Sequence, residues 1–206
     1  MDEARNIREF WFGRVPLSAE SLNRRVRFWF GSETSPQREQ RDAYITEHFG
    51  ALLERAAAGG LDGWADGPRR RLSLIILLDQ FPRHIFRGDA RAFAYDQQAL
   101  SLTFSGMQSA ADAALQAVER LFFYMPMQHA ESREAQDESV AAYRRLLHEA
   151  KDELREPFAA ALRSAENHRA IIELFGRFPH RNRLLGREST PAEVEWLRSG
   201  GESFGQ

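Results

Sequence analysis

The 206-residue sequence predicts an all-α fold, a single-domain array of antiparallel helix pairs over residues 1–206. Three observations carry that expectation. Apolar residues recur with the helical period along nearly the whole chain. Strand-like alternation is hard to find. Three dipeptides, Ser35-Pro36, Gly67-Pro68 and Thr190-Pro191, have the form of helix starts. Apolar residues make up 43% of the chain, enough to bury a sizeable core.

Ile7, Phe10 and Trp11 share one face of a short opening helix, which Gly13 and Pro16 end. Leu22, Val26, Trp29 and Phe30 form the next stripe. Ser35 is an N-cap with proline after it, and the helix it starts carries Tyr44, Ile45, Phe49, Leu52 and Leu53 to a stop at Gly59-Gly60. Gly67-Pro68 opens a helix with Leu72, Ile75, Ile76 and Asp79. Pro82 predicts a kink or an end there, because it removes a backbone donor and crowds the preceding turn.

A helix over 92–102 follows. Ser109 and Asp112 have capping-box spacing and predict the start of a helix bearing Leu115, Val118 and Phe122, which Pro126 ends. Segment 132–150 aligns Val140, Tyr143 and Leu147. Segment 152–175 aligns His168, Ile171, Ile172 and Phe175. Thr190-Pro191-Ala192-Glu193 combines an N-cap, a proline at the first position and a glutamate that reaches back to the cap. Residues 200–206 are expected to fray. The reading gives eight or nine helices joined by short connections.

Composition excludes several functions. The formal charge is −2, so no basic field exists to hold nucleic acid or an anionic membrane. The chain has no cysteine, which removes disulfides, thiolate metal sites and a cysteine nucleophile. The opening Met1-Asp2-Glu3-Ala4-Arg5 lacks a signal-peptide pattern, and the longest apolar run, Leu74 to Leu78, is too short to span a bilayer; the expected location is cytoplasmic. Lys151 is the only lysine, so 27 of the 28 basic residues are arginine. In that background an arginine is weak evidence for an anion site.

Three stretches hold more polar chemistry than helix packing requires: Leu78-Asp-Gln-Phe-Pro-Arg-His-Ile-Phe-Arg-Gly88, Tyr124-Met-Pro-Met-Gln-His-Ala-Glu131, and Phe175-Gly-Arg-Phe-Pro-His-Arg-Asn182 with Leu185-Gly-Arg-Glu-Ser-Thr190. With Phe28-Trp29-Phe30, they resemble the signature blocks of the bacterial domain of unknown function 924 family over nearly the whole chain. The resemblance implies a fold similar to the tetratricopeptide-like α-α superhelices and implies no activity. Two positions depart from the family pattern: His84 replaces its asparagine and Ala130 its serine.

Read as chemistry, the candidate ligand-binding residues are Asp79, Arg83, His129, Glu131, Arg177, His180 and Arg181. Asp79 and Arg83 stand four apart on one helix face and predict an ion pair, either a packing device or a clamp that aims the guanidinium at an anion. Phe81-Pro82-Arg83-His84 and Phe178-Pro179-His180-Arg181 echo each other, which suits two helix ends or two corners of one cavity. His168 lies on an apolar stripe, as a core histidine does. Arg69-Arg70-Arg71 opens a helix where Asp62 and Asp66 offset its charge.

Three functions fit these residues. One is a binding module that holds a small anionic molecule or a peptide. Another is an enzyme in which His129 or His180, paired with Glu131, is the general acid or base. The third is a structural polar network. A zinc or iron site from His129, Glu131, His168 and His180 lacks a recognised spacing, so no metal or cofactor is assigned. The prolines at 82, 126 and 179 each precede a polar cluster, which predicts that the three stretches meet, with two arginines beside one glutamate leaving the site net positive. The sequence names no reaction and no oligomeric state.

Overall fold

Leu72 to Pro82 form an unbroken buried run, and the rest of the chain is arranged around it. A helix that is apolar on every side is stable only when it is enclosed. The computed structural model describes residues 2–31, 35–151, 155–202 and 204. It is all-α, with 76% helix and, among the described residues, no strand.

Helix α1, Glu3–Phe12, is capped by Asp2, and Gly13 ends it at φ 73°, a conformation that glycine reaches without strain. Helix α2 is Ala19–Phe30 and α3 is Ser35–Ala57. The buried rod consists of α4 (Pro68–Ile75), one π turn (Ile76–Gln80) and α5 (Phe81–Ile85). Helix α6 is Asp96–Gln108, α7 is Ala117–Phe123 and α8 is Met125–His129. Helices α9 (Arg133–Glu149), α10 (Arg155–Phe175) and α11 (Pro191–Arg198) complete the chain. That is eleven α-helices among the described residues, more than the eight or nine expected. The cap role expected of the Ser35 side chain, the start expected at Asp152 and part of the expected fray (Ser203, Gly205, Gln206) lie outside the described residues.

Prolines account for most of the extra helices. Pro82 neither ends nor breaks the rod. The preceding turn widens instead: the Phe81 N–H bonds to the Ile76 carbonyl, five residues back. This makes room for the proline ring, and the Arg83 guanidinium folds back to donate to the Asp79 carbonyl. Pro126 lies in the first turn of α8, where its missing donor has no cost, and α7 stops at Tyr124 before it. Ser109 caps the end of α6, not the start of α7; the capping box that opens α7 is Gln116 with Glu119.

Most of the core is one cluster, in which Trp11, Phe12, Ile45, Leu53, Phe81 and Phe122 are fully buried. Gly106 admits the Phe123 ring and the Arg71 stem; a Cβ there would lie 2.5 Å from the ring. Arg71 thereby reaches the Leu102 carbonyl and the Ser105 hydroxyl, an internal use for the last of the three consecutive arginines. Helices α9 and α10 are antiparallel: Arg133 pairs with Glu173, Asp137 with Arg169 and Arg144 with Glu166, so one number rises as the other falls. A second, smaller cluster forms where Ile171, Ile172 and Phe178 meet Phe175, Trp196 and Phe204. Among the described residues no helix is long and apolar enough to cross a membrane.

Candidate functional site

A polar seam lies where the π turn, α5, α6, α8, α10 and the turn at Pro179–Arg181 come together. Its centre is Asp79, which is 0% exposed. One carboxylate oxygen takes the Gln80 amide at 2.5 Å and the other takes His129 Nδ1 at 2.7 Å. Burial pushes Asp79 toward the neutral form, but His129 and Arg83 outweigh it and hold the group below the usual carboxylate range. Burial, reinforced by Arg83, lowers His129 against the opposing pull of Asp79. His129 is therefore a neutral imidazole near pH 7. An ionised carboxylate only accepts, so the ring proton is on Nδ1 and the lone pair on Nε2. Among the described residues nothing bonds Nε2.

The two Phe-Pro corners meet at Asp96. Arg83 grips both of its oxygens, at 2.9 and 3.0 Å, and Arg181 reaches one of them at 3.3 Å. The expected Asp79–Arg83 pair is the weaker contact, at 3.8 Å, because Asp96 stands in the better bidentate position. Arg181 also donates to the His129 carbonyl at 3.0 Å, and its guanidinium carbon lies 4.6 Å from the ring centres of both Phe93 and Phe178. Burial lowers Arg181 to about 10, partly offset by Asp96 and deepened by Arg83, so it remains a cation. Two arginines face two aspartates. The expected net positive charge is absent, because it counted neither Asp79 nor Asp96 against the arginines.

His168, on α10, donates Nδ1–H to the Ser164 carbonyl at 2.8 Å, and its ring lies 6.3 Å from that of His129. Phe204 stacks on it at 3.6 Å. Burial, and then His129, press His168 down to about 3. The His180 ring stands 5.6 Å from Phe178 and 5.8 Å from Phe204, at the edge of the seam. Glu131 is close by but committed elsewhere: it accepts the Phe178 N–H and a two-point contact from Arg187. The structure thus gives His129 the carboxylate of Asp79, not of Glu131. Arg177 is not brought into the seam; it clasps Glu193 at 2.7 and 2.9 Å and anchors α11. Among the described residues no three histidine, aspartate or glutamate side chains are placed to hold a metal ion, so the grouping of His129, Glu131, His168 and His180 is not a ligand set.

Asp96, Phe93 and Arg187 escape sequence reasoning. Asp96 sits in the first turn of α6, where an acid is explained by the helix dipole alone. His84, the departure from the family pattern, forms a separate pair with Asp42 at 2.8 Å, joined by Arg87. Ser164 and Phe204, which both touch His168, also line a shallow surface cavity of about 410 Å³ with Asn167 and Glu202.

The profile of the family described as bacterial protein of unknown function (DUF924) matches residues 7–201. A solved structure of a protein of unknown function from Agrobacterium tumefaciens is 34% identical, covering 96% of this chain and 97% of that one, with a TM-score of 0.78. No curated protein matches the chain.

Proposed function

The chain belongs to this DUF924 family, and from its own geometry we propose that it binds a small anionic molecule at the seam, with His129 exchanging a proton with the bound molecule. The observation that carries the reading is the 2.7 Å contact between His129 Nδ1 and the wholly buried Asp79. A carboxylate held there fixes the tautomer and orientation of the ring and stabilises the imidazolium that forms when Nε2 takes a proton. The charge balance points the same way. With His129 neutral, the arginines and aspartates cancel; an arriving anion leaves one negative charge, and a proton on His129 restores neutrality. Binding then takes up a proton and weakens as pH rises. The reading includes a cytoplasmic location and a small-molecule partner, in keeping with the near-neutral charge of −2.

Near-complete burial and balanced charge favour a second reading, a polar network that only fixes helix packing. Thermal melts with titrated acetate and phosphate, at pH 6 and pH 8, separate the two. Binding predicts a saturable rise in Tm for at least one anion, larger at pH 6, that His129→Gln abolishes. Equal, unsaturating shifts in wild type and variant would mean exclusion of salt from the surface, and the network reading would stand.

A further inference from the structure

Resting on the anion-binding reading, we propose that the anion is a carboxylate, received in the plane of Arg181 along its Nε–Nη2 edge. Arg181 is 4% exposed, and both of its hydrogen bonds come from Nη1, to Asp96 and to the His129 carbonyl. Nε is buried without an acceptor, and Nη2 has none among the described residues. Arg41, Arg71 and Arg83 also bury an unbonded Nε, but of the four only Arg181 is buried as a whole residue, where an unmatched donor costs most.

Among the described residues no carboxylate accepts from that edge. Both oxygens of Asp96 are held by Arg83, both of Glu131 by Arg187, and both of Asp79 by His129 and Gln80. We assign the acceptor to a bound molecule. The side-on edge offers two parallel N–H donors at the spacing of two carboxylate oxygens. Phe93 and Phe178 flank the same guanidinium, each ring centre 4.6 Å from Cζ. A planar carboxylate in the plane of the guanidinium would share its stacking between such rings. A tetrahedral phosphate directs its remaining oxygens out of that plane, toward apolar ring faces. The Nη1 contact to the carbonyl of His129 keeps the bound group beside the residue that exchanges the proton.

The test titrates acetate, phosphate and chloride at matched ionic strength against wild type, Arg181→Lys and Phe93→Ala, read by Tm and by the ring-proton shifts of His129. Acetate is expected to saturate on wild type and to bind Arg181→Lys at least about tenfold more weakly, since lysine keeps the charge but loses the paired donors. Phosphate is expected to match chloride on wild type and to gain saturable binding in Phe93→Ala, where the ring no longer limits the slot. Saturation by phosphate and not by acetate on wild type would overturn the carboxylate assignment and leave the anion reading intact. Saturation by neither would overturn both. If Arg181→Lys does not fold, Phe93→Ala decides: phosphate remaining as inert there as on wild type would refute the slot.

Discussion

Asp96 is the residue on which both seam arginines depend. It lies between Arg83 and Arg181, so replacing it strands two buried cations at once. We expect Asp96→Asn to lower stability by about 3 kcal/mol or more in urea denaturation. A loss below about 1 kcal/mol would mean that the arginines relax into water and the seam is open. The sequence marks Arg83, His129 and Arg181 because each breaks an apolar or proline-bounded pattern. It does not mark Asp96, since an acid in a first helical turn has an ordinary explanation. With 27 arginines and 30 acidic residues in the chain, the pairing of cation to anion is not written in local spacing. The i to i+4 rule selects Asp79 for Arg83, and tertiary geometry selects Asp96, thirteen positions away. The same limit explains why Glu131 reads as a partner for His129 when Arg187 already holds it.

At the scale of elements, local signals read correctly where two agree and wrongly where one stands alone. Thr190 is followed by a proline and by a glutamate at the third helical position, and all three act as expected: the Thr190 hydroxyl accepts the Glu193 N–H and Glu193 returns to the Thr190 N–H. Ser109 has only its spacing to Asp112, and its hydroxyl donates backward to the Gly106 carbonyl at the close of α6. The two substitutions should therefore differ. Thr190→Ala is expected to cost about 1 kcal/mol, and Ser109→Ala to stay within about 0.5 kcal/mol of wild type. Equal losses by chemical denaturation would put the start of α7 back at Ser109. The π turn had no such double signal. Pro82 states that something must give, but whether the helix ends, bends or takes in an extra residue is decided by the enclosure of Leu72 to Pro82, which favours keeping the rod continuous.

For the molecule as a whole, the all-α class was legible because period and caps repeat along the chain, whereas the seam was not, because it joins residues as far apart as Asp79 and Arg181. The buried histidines give the molecule a pH signature. His84, His129 and His168 are all lowered, by burial first. Each takes up a proton more readily when unfolded, so its contribution is complete above about pH 6.5 and is lost as pH falls toward the folded value, about 3 for His168. Each lowers stability by up to about 1.4 kcal/mol per pH unit across that window. Urea midpoints should fall between pH 7 and pH 5, and His168→Gln should flatten part of the slope; a level wild-type profile over that range would contradict the burial. The enclosed rod has a consequence for synthesis. Its cover comes from both directions: α1 and α3 precede it, but α6, α7 and α8 follow, the last ending at His129. A ribosome that has just released Pro82 therefore holds a nascent chain whose eleven-residue run Leu72 to Pro82, with its apolar stretch Leu74 to Leu78, nothing downstream yet shields. Transiently exposed apolar surface favours aggregation, so slow translation after Pro82 is expected to lower the yield of folded protein more than slow translation before it.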